Sequence, residues 1–371
     1  MTPVLRYLLS YVQIGCLVVV LARLSRGANR IDALEPIDAS CDVTIVIPAR
    51  NEALRIRPLL DSLRRTYPDA RVLVVNDEST DETAAIANEY GATVIPGSEP
   101  PPGWVGKPWA LQQGLNAVAT EFVVFLDADV TVSAGLIGAL AAAKAHHGYD
   151  IVSAAARVRS ESVASQLLSA AMRTTLVYRF GPVGQAALPK VDRTFISGQC
   201  VFGEAQYIRE IGGFSLAYGK MTDDIAFGRA AVVHGAKVAY LDGTSLLEDG
   251  APSSVRETWR QFGRTIGLRD VSPFRMQLTD LVVIWATVVV PQVRFATNAF
   301  TFADIACVAV RLLVLVAMRT SNSKPRRFII LSPLCDVPAA VRLTWSFLRP
   351  SRQWRGRRYD FRPTTTAQPS A

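Results

Sequence analysis

Phe122-Val-Val-Phe-Leu-Asp-Ala-Asp-Val130 is an apolar run that ends in two carboxylates one residue apart. The run reads as a buried strand, and such a strand carries Asp127 and Asp129 to the edge of a sheet, where side chains meet solvent and ligand. Two oxygen ligands at that spacing suit a hard divalent cation, Mg²⁺ or Mn²⁺. A cation of that kind is needed where a diphosphate is held and then released as a leaving group. Taken alone, an Asp-x-Asp is more often a strand end with solvated acids, so its surroundings decide the reading.

Working outward, the same pattern recurs. Val43-Thr-Ile-Val-Ile47, Val72-Leu-Val-Val75 and Ala92-Thr-Val-Ile95 read as strands, and 55–65, 81–90 and 109–119 read as helices between them. Strands alternating with helices predict an α/β fold around a mainly parallel sheet with right-handed crossovers. Ligands of such sheets bind beyond the carboxyl ends of the strands. The first strand ends in Pro48-Ala-Arg-Asn-Glu52, a loop offering backbone amides with Arg50 and Glu52. The second ends in Asn76-Asp-Glu-Ser-Thr-Asp81, where Asp77 is set to accept from a base N–H or ribose hydroxyls. Ser79 and Asp81 there read as caps of the next helix. Pro100-Pro-Pro-Gly-Trp-Val-Gly-Lys107 presents Lys107 just before a helix, a natural phosphate contact, with Trp104 close by. Ile196-Ser-Gly-Gln-Cys200 is a small-residue turn in which Gly198 and Gln199 let a sugar approach the backbone. In Met221-Thr-Asp-Asp-Ile225, Asp223 and Asp224 open a helix. Acids there are ordinary caps, and also what a sugar-transfer base requires. Gln261 and Arg264 share a helix face, from which Arg264 reaches a diphosphate.

The bulk composition points to a membrane. The 371 residues are 50% hydrophobic and 19% charged, with mean hydropathy +0.21 and net charge +8. Residues 4–22 are almost uniformly apolar, near the ~20 residues that a span requires, and read as an anchor rather than a cleaved signal peptide. Arg23, Arg26 and Arg30 follow it, which puts the next segment in the cytoplasm. Further spans are expected at 278–293 and 301–318. Residues 328–348 carry Pro333, Asp336, Pro338 and Arg342, and are expected to be re-entrant or interfacial, because a full crossing would put the Arg-rich tail outside. Residues 255–277 suit an interfacial amphipathic segment, 161–188 a helix of the core or of the bilayer surface, and the end from Pro363 disorder. The cluster Arg349, Arg352, Arg355, Arg357 and Arg358 follows hydrophobic segments directly and is assigned to lipid and topology. No nucleic-acid motif is visible. Five scattered cysteines imply no disulfide framework.

Five of these pieces, in this order, resemble the family 2 glycosyltransferases: Val46-Ile-Pro-Ala-Arg-Asn-Glu52, Val75-Asn-Asp-Glu-Ser-Thr-Asp81, Leu126-Asp-Ala-Asp129, Thr222-Asp-Asp224 and Gln261-Phe-Gly-Arg264. The resemblance covers residues 41–265 and implies the GT-A fold, a Rossmann-like mixed sheet, here flanked by an anchor at 1–24, membrane helices within 266–348 and a basic tail at 349–371. It implies a nucleotide sugar, with UDP-hexose the expected donor, held by Pro48, Ala49, Arg50, Glu52, Asp77, Lys107, Asp127, Gly198, Gln199, Gln261 and Arg264. Asp129 and Asp127 would serve a Mg²⁺ or Mn²⁺ diphosphate, and Asp224, beside Asp223, would be the general base. Two departures stand out. The first acid of the family's second loop is Asn76 here, and the Gln-x-x-Arg-Trp of processive members reads Gln261-Phe-Gly-Arg-Thr265. Without that Trp the chain fits one transfer to one acceptor better than polymer synthesis. Gly103-Trp-Val-Gly-Lys107 and Trp354-Arg-Gly-Arg-Arg-Tyr359 are similar to the membrane-bound subgroup that glycosylates carotenoids, with hopanoid- and ceramide-type enzymes close to it. The expected protein is therefore a multi-pass plasma-membrane enzyme with a cytoplasmic site, acting on an apolar lipid and not on nucleic acid. Polyprenyl-phosphate transfer and polysaccharide synthesis remain alternatives. The intact Asp127, Asp129 and Asp224 argue against a silent scaffold.

Overall fold

The computed structural model describes residues 3–39, 41–160, 162–185, 190–250, 254–319, 327–349, 353–354 and 357–359. The expected disorder from Pro363 lies outside them, as do Arg352 and Arg355. In chain order, α1 (Pro3–Leu24) precedes β1 (Val43–Ala49), α2 (Ile56–Thr66), β2 (Arg71–Asn76), α3 (Thr83–Glu89), β3 (Thr93–Pro96), α4 (Gly106–Ala117) and β4 (Phe122–Leu126). Then come β5 (Val130–Val132), α5 (Leu136–His147), β6 (Ile151–Ala155), β7 (Arg157–Val158), α6 (Val163–Phe180) and β8 (Cys200–Glu204). They are followed by α7 (Ala205–Glu210), α8 (Asp223–Val233), β9 (Val238–Asp242), β10 (Leu247–Asp249) and α9 (Val255–Thr265). Last are α10 (Phe274–Ala296), α11 (Phe302–Ala317), α12 (Asp336–Leu348) and a short hairpin of β11 (Gln353–Trp354) and β12 (Arg357–Arg358).

The main sheet has the order β3-β2-β1-β4-β8-β6-β9. Only β8 runs against its neighbours; every other pairing is parallel. The sheet is thus mixed, and β1, β2 and β4 all end on one edge. β1 is buried along its whole length, as a central strand covered on both faces must be. Its period of two sends Ile45 and Ile47 to one face, against Leu59 and Leu63 of α2 and Leu140 of α5. Val46 goes to the other, with Leu111 and Leu115 of α4 and Phe227 of α8. A second sheet, β5-β10-β7, brings Asp249 beside Val130, next to the acids that follow β4.

Among the described residues, three helices are long and apolar enough to cross a membrane: Leu8–Gly27, Phe274–Ala296 and Phe328–Leu348. The last covers the stretch expected to be re-entrant or interfacial; it combines a 3-10 helix over Arg327–Cys335 with the α-helix Asp336–Leu348. Its charged side chains have partners inside the protein: Asp336 pairs with Arg311 at 2.9 Å, and Arg342 Nε donates to the Trp259 carbonyl at 2.9 Å. α11, within the expected span 301–318, has 16 residues. At ~1.5 Å per residue it is about 24 Å long, short of a ~30 Å hydrocarbon core. α10 carries a π-helical turn at Trp285–Val289, just before Pro291. Arg23, of the positive flank after the first apolar segment, is 7% exposed and shares Asp280 with Arg179 and Arg193. Most of α6 is buried in the cluster that α1, α10 and α12 also form, so it belongs to the core. All five cysteines are free thiols.

Candidate active site

β1 and β2 end side by side, and their loops brace each other. Asn51 N–H donates to Ser79 Oγ at 3.0 Å, and Thr80 N–H donates to Asn51 Oδ1 at 2.8 Å. Ser79 is therefore a brace and not the helix cap expected; Asp81 takes that task in part, accepting from Thr83 N–H at 3.0 Å. Asn51 and Glu78 hold left-handed backbone, φ 54° and 49°. Such conformations cost of order 1–3 kcal/mol and collect at ligand sites. Arg50 donates to the Asp77 carbonyl at 2.6 Å, and Asp77 N–H to the Ala49 carbonyl at 2.8 Å, so Ala49, Arg50 and Asp77 form one unit.

α4 begins at Gly106, three residues earlier than expected, so Lys107 lies inside its first turn. Trp104 serves packing there: it meets Trp109 and Tyr218 edge-on at 5.1 and 5.8 Å. Lys107 Nζ lies 2.6 Å from Asp127 and 3.9 Å from Asp223. Gly198 makes room for this cluster, because a Cβ there would stand 3.2 Å from both Lys107 Nζ and Asp224 Cβ. Asp224 is held at both oxygens, by Gly198 N–H at 3.0 Å and by its neighbour Ile225 N–H at 2.8 Å. Burial alone would lower the Lys107 ammonium, but Asp127, Asp223 and Asp224 raise it above its ordinary value, so it stays charged. Burial pushes the Asp223 carboxyl up to about 7, helped by Asp224 and Asp127 and opposed by Lys107. Burial raises Asp224 as well, with Lys107 and its two amides opposing.

A raised folded-state pKa makes stability fall with pH. The contribution of Asp223 is full below its unfolded value of about 4 and is lost as pH rises through about 7. Asp223→Asn is accordingly expected to raise the melting temperature of the unliganded protein at pH 8 by several degrees and to flatten the decline between the two values. Differential scanning fluorimetry across that range checks it. An unchanged slope would show that Asp223 does not titrate there.

On the far side of Asp127, Asp129 faces Asp249. Burial pushes the Asp249 carboxyl well up, and the charges of Asp129 and Asp127 push it further, against a hydrogen bond with Gln199 and the charge of Arg173. Acids that repel one another this way are the donor set of a hard cation, although among the described residues no three converge to coordinating distance. Asp127 is engaged by Lys107 at 2.6 Å, and Asp129 and Asp249 line one hollow together. A hollow of about 240 Å³ opens beside Asp129 and Asp249, with Arg159, Arg260 and Arg264 on its wall.

Eleven of the residues singled out in the sequence line one cavity of about 740 Å³: Pro48, Glu52, Lys107, Asp127, Asp129, Gly198, Gln199, Asp223, Asp224, Gln261 and Arg264. Ala49, Arg50 and Asp77 lie outside its lining. Sequence reasoning missed Asp249, whose signal was Leu247-Glu-Asp-Gly250, another short apolar run ending in acids. It also missed Arg173 and Tyr240, on the cavity wall, and Arg357, which donates to Asp77 Oδ1 at 2.8 Å. Beyond Arg173 the cavity continues between apolar walls of α1, α6 and α11, with Leu21, Leu24, Val177, Phe180, Leu313 and Val314 among them. One end is therefore acidic, and the other fits hydrocarbon.

Residues 44–212 match the family described as Glycosyl transferase family 2. The 4,4'-diaponeurosporenoate glycosyltransferases of Staphylococcus aureus strains MRSA252 and USA300 are each 48% identical over 90 residues, 24% of this chain and 24% of theirs. The match thus spans about a quarter of these curated relatives. Among solved structures, the mannosyltransferase PcManGT of Pyrobaculum calidifontis, in complex with GDP-Man and Mn²⁺, aligns with TM-score 0.55 and 18% identity over 91% of this chain and 99% of its own.

Proposed function

The chain contains a family 2 glycosyltransferase domain of the GT-A fold, and from that premise we propose that it moves a hexose from a nucleotide sugar to an apolar membrane lipid, with a carotenoid first among the acceptors. The observation that carries the reading is the single cavity joining Lys107, Asp127 and Asp224 to the hydrocarbon-lined space of α1, α6 and α11. A soluble acceptor has no use for that second half. The Staphylococcus aureus relatives, named for 4,4'-diaponeurosporenoate, support the same class.

In this reading Asp224, oriented by two backbone amides, takes the proton of an acceptor hydroxyl as its oxygen attacks the anomeric carbon with inversion. Lys107 and Arg264 meet the charge that develops on the leaving diphosphate. Asp129 and Asp249, with Asp127 beside them, would hold Mg²⁺ or Mn²⁺, a Lewis acid toward that diphosphate when bound. A carboxylate acceptor arrives ionised, and Asp224 then has no proton to remove. Asp77 and Arg50 receive the nucleoside, with UDP-hexose as donor. The three helices of spanning length among the described residues, with Arg26 at the end of the first and Arg30 just after it, support a multi-pass plasma-membrane protein whose site faces the cytoplasm.

The test incubates membranes carrying the protein with UDP- and GDP-sugars and a total lipid extract, followed by mass spectrometry. The expected product is one lipid mass raised by one hexose. A ladder of hexose additions would favour polysaccharide synthesis, and a hexosyl polyprenyl phosphate that alternative. No glycosylated lipid with any donor sinks the proposal.

A further inference from the structure

Arg357 and Tyr359 come from the end of the chain, yet they lie on the ends of β2 and α4. Arg357 Nη1 donates to Asp77 Oδ1 at 2.8 Å, and the same guanidinium pairs with Glu78. Tyr359 Oη accepts from Gly106 N–H at 3.0 Å, the first amide of α4. The fit is close: a Cβ on Gly106 would stand 2.7 Å from Asp77 Oδ2 and 3.0 Å from both the Arg357 guanidinium and the Tyr359 hydroxyl. Under this cover Asp77 is 1% exposed, and its Oδ2 has no hydrogen-bond partner. A buried carboxylate oxygen without a donor is uncommon, because the water it gave up on burial is not replaced. The arrangement is that of an acceptor kept for a donor that arrives later.

The covering element is slight. It is a hairpin with two residues in each strand, held by the pairs Gln353↔Arg358 and Trp354↔Arg357. A hairpin that short has little stability of its own and can lift without disturbing the sheet beneath it. The large cavity does not reach Asp77 or Arg50, and Arg357 and Tyr359 lie over Asp77.

We propose that the Arg357–Tyr359 segment is a displaceable cover on the nucleoside pocket: Arg357 occupies Asp77 until a nucleobase donates its own N–H groups to that carboxylate and the tail lifts. This rests on the reading of Asp77 as the nucleoside contact. The cover also selects. Only a base with N–H donors on the edge it presents, such as uracil or guanine, replaces what Arg357 supplies, so a uracil methylated at that nitrogen does not open the pocket.

The experiment uses the full chain in detergent or nanodiscs. Calorimetry with UDP, GDP and N3-methyl-UDP compares the wild type, Arg357→Ala, and a chain truncated before Gln353. Both altered proteins are expected to bind UDP or GDP about tenfold tighter than the wild type, the worth of one hydrogen bond to a charged group. The nucleotide is expected to speed tryptic cleavage of the wild-type tail at Arg357 and Arg358. Weaker or unchanged binding, or protection of the tail by nucleotide, would overturn the cover and make the tail a fixed wall of the donor site. Asp77→Asn separates the two levels of the argument. If it leaves nucleotide affinity intact in both tail contexts, Asp77 is not the nucleoside contact, and the cover falls with it.

Discussion

Asp224→Asn is expected to lower the rate of transfer to a hydroxyl acceptor by about 10²–10⁴-fold, the usual worth of a positioned general base. The substitution keeps the size and one of the two amide contacts, since the single Asn carbonyl accepts from Gly198 or Ile225 while its NH2 cannot accept from the other. What it removes besides is basicity. Lys107 keeps Asp127 at 2.6 Å and Asp223 at 3.9 Å, so the charge that faces the diphosphate is retained. The loss therefore falls on kcat, with the KM of the nucleotide sugar little changed. Steady-state kinetics on a hydroxylated lipid reads this split. The acceptor's own chemistry supplies a control: with a carboxylate acceptor the same variant keeps most of its rate, because no proton has to leave. Full activity of Asp224→Asn on a hydroxyl acceptor would defeat the assignment. A fall confined to KM would make Asp224 a positioning group.

The parts of this site that the sequence discloses are those that a strand announces. Val43–Ile47, Val72–Val75 and Phe122–Leu126 are short apolar runs, and each stops at a polar residue that the sheet then carries to one edge. Asp77, Asp127 and Asp129 were legible for that reason, and so was the α/β class. Asp249 follows the same rule in a strand of three residues, too short to stand out, and only the pairing of β10 with β5 puts it near Asp129. Arg357 was visible as one of a crowd of arginines. Its contact with Asp77 lies 280 residues away along the chain, beyond any local pattern. Asp336 and Arg342 read in the sequence as charges without partners in an apolar stretch, and the fold supplies Arg311 and the Trp259 carbonyl. Buried charge in an apolar helix is a question about its partner, and periodicity along one segment does not contain the answer.

Asp129→Ala is expected to reduce transfer about 10²–10³-fold, comparable to removing one strong electrostatic contact from a developing charge. Asp129 is the one of the two acids after β4 that lines both hollows, the large cavity and the smaller one walled by Arg159, Arg260 and Arg264. Asp127 differs, because Lys107 already balances it at 2.6 Å. Its replacement by Asn leaves that ammonium among Asp223 and Asp224 and is expected to cost less. Chelation sorts the two. In the wild type, EDTA should lower both transfer and the affinity for a nucleoside diphosphate, and added Mn²⁺ should restore them. In Asp129→Ala the chelator should change little, because the site that held the ion is already lost. Asp127→Asn should remain sensitive to EDTA. If Asp129→Ala stays as responsive to EDTA as the wild type, the ion sits elsewhere. If neither protein responds, cations from the chain itself, Lys107 and Arg264 foremost, must meet the diphosphate charge alone.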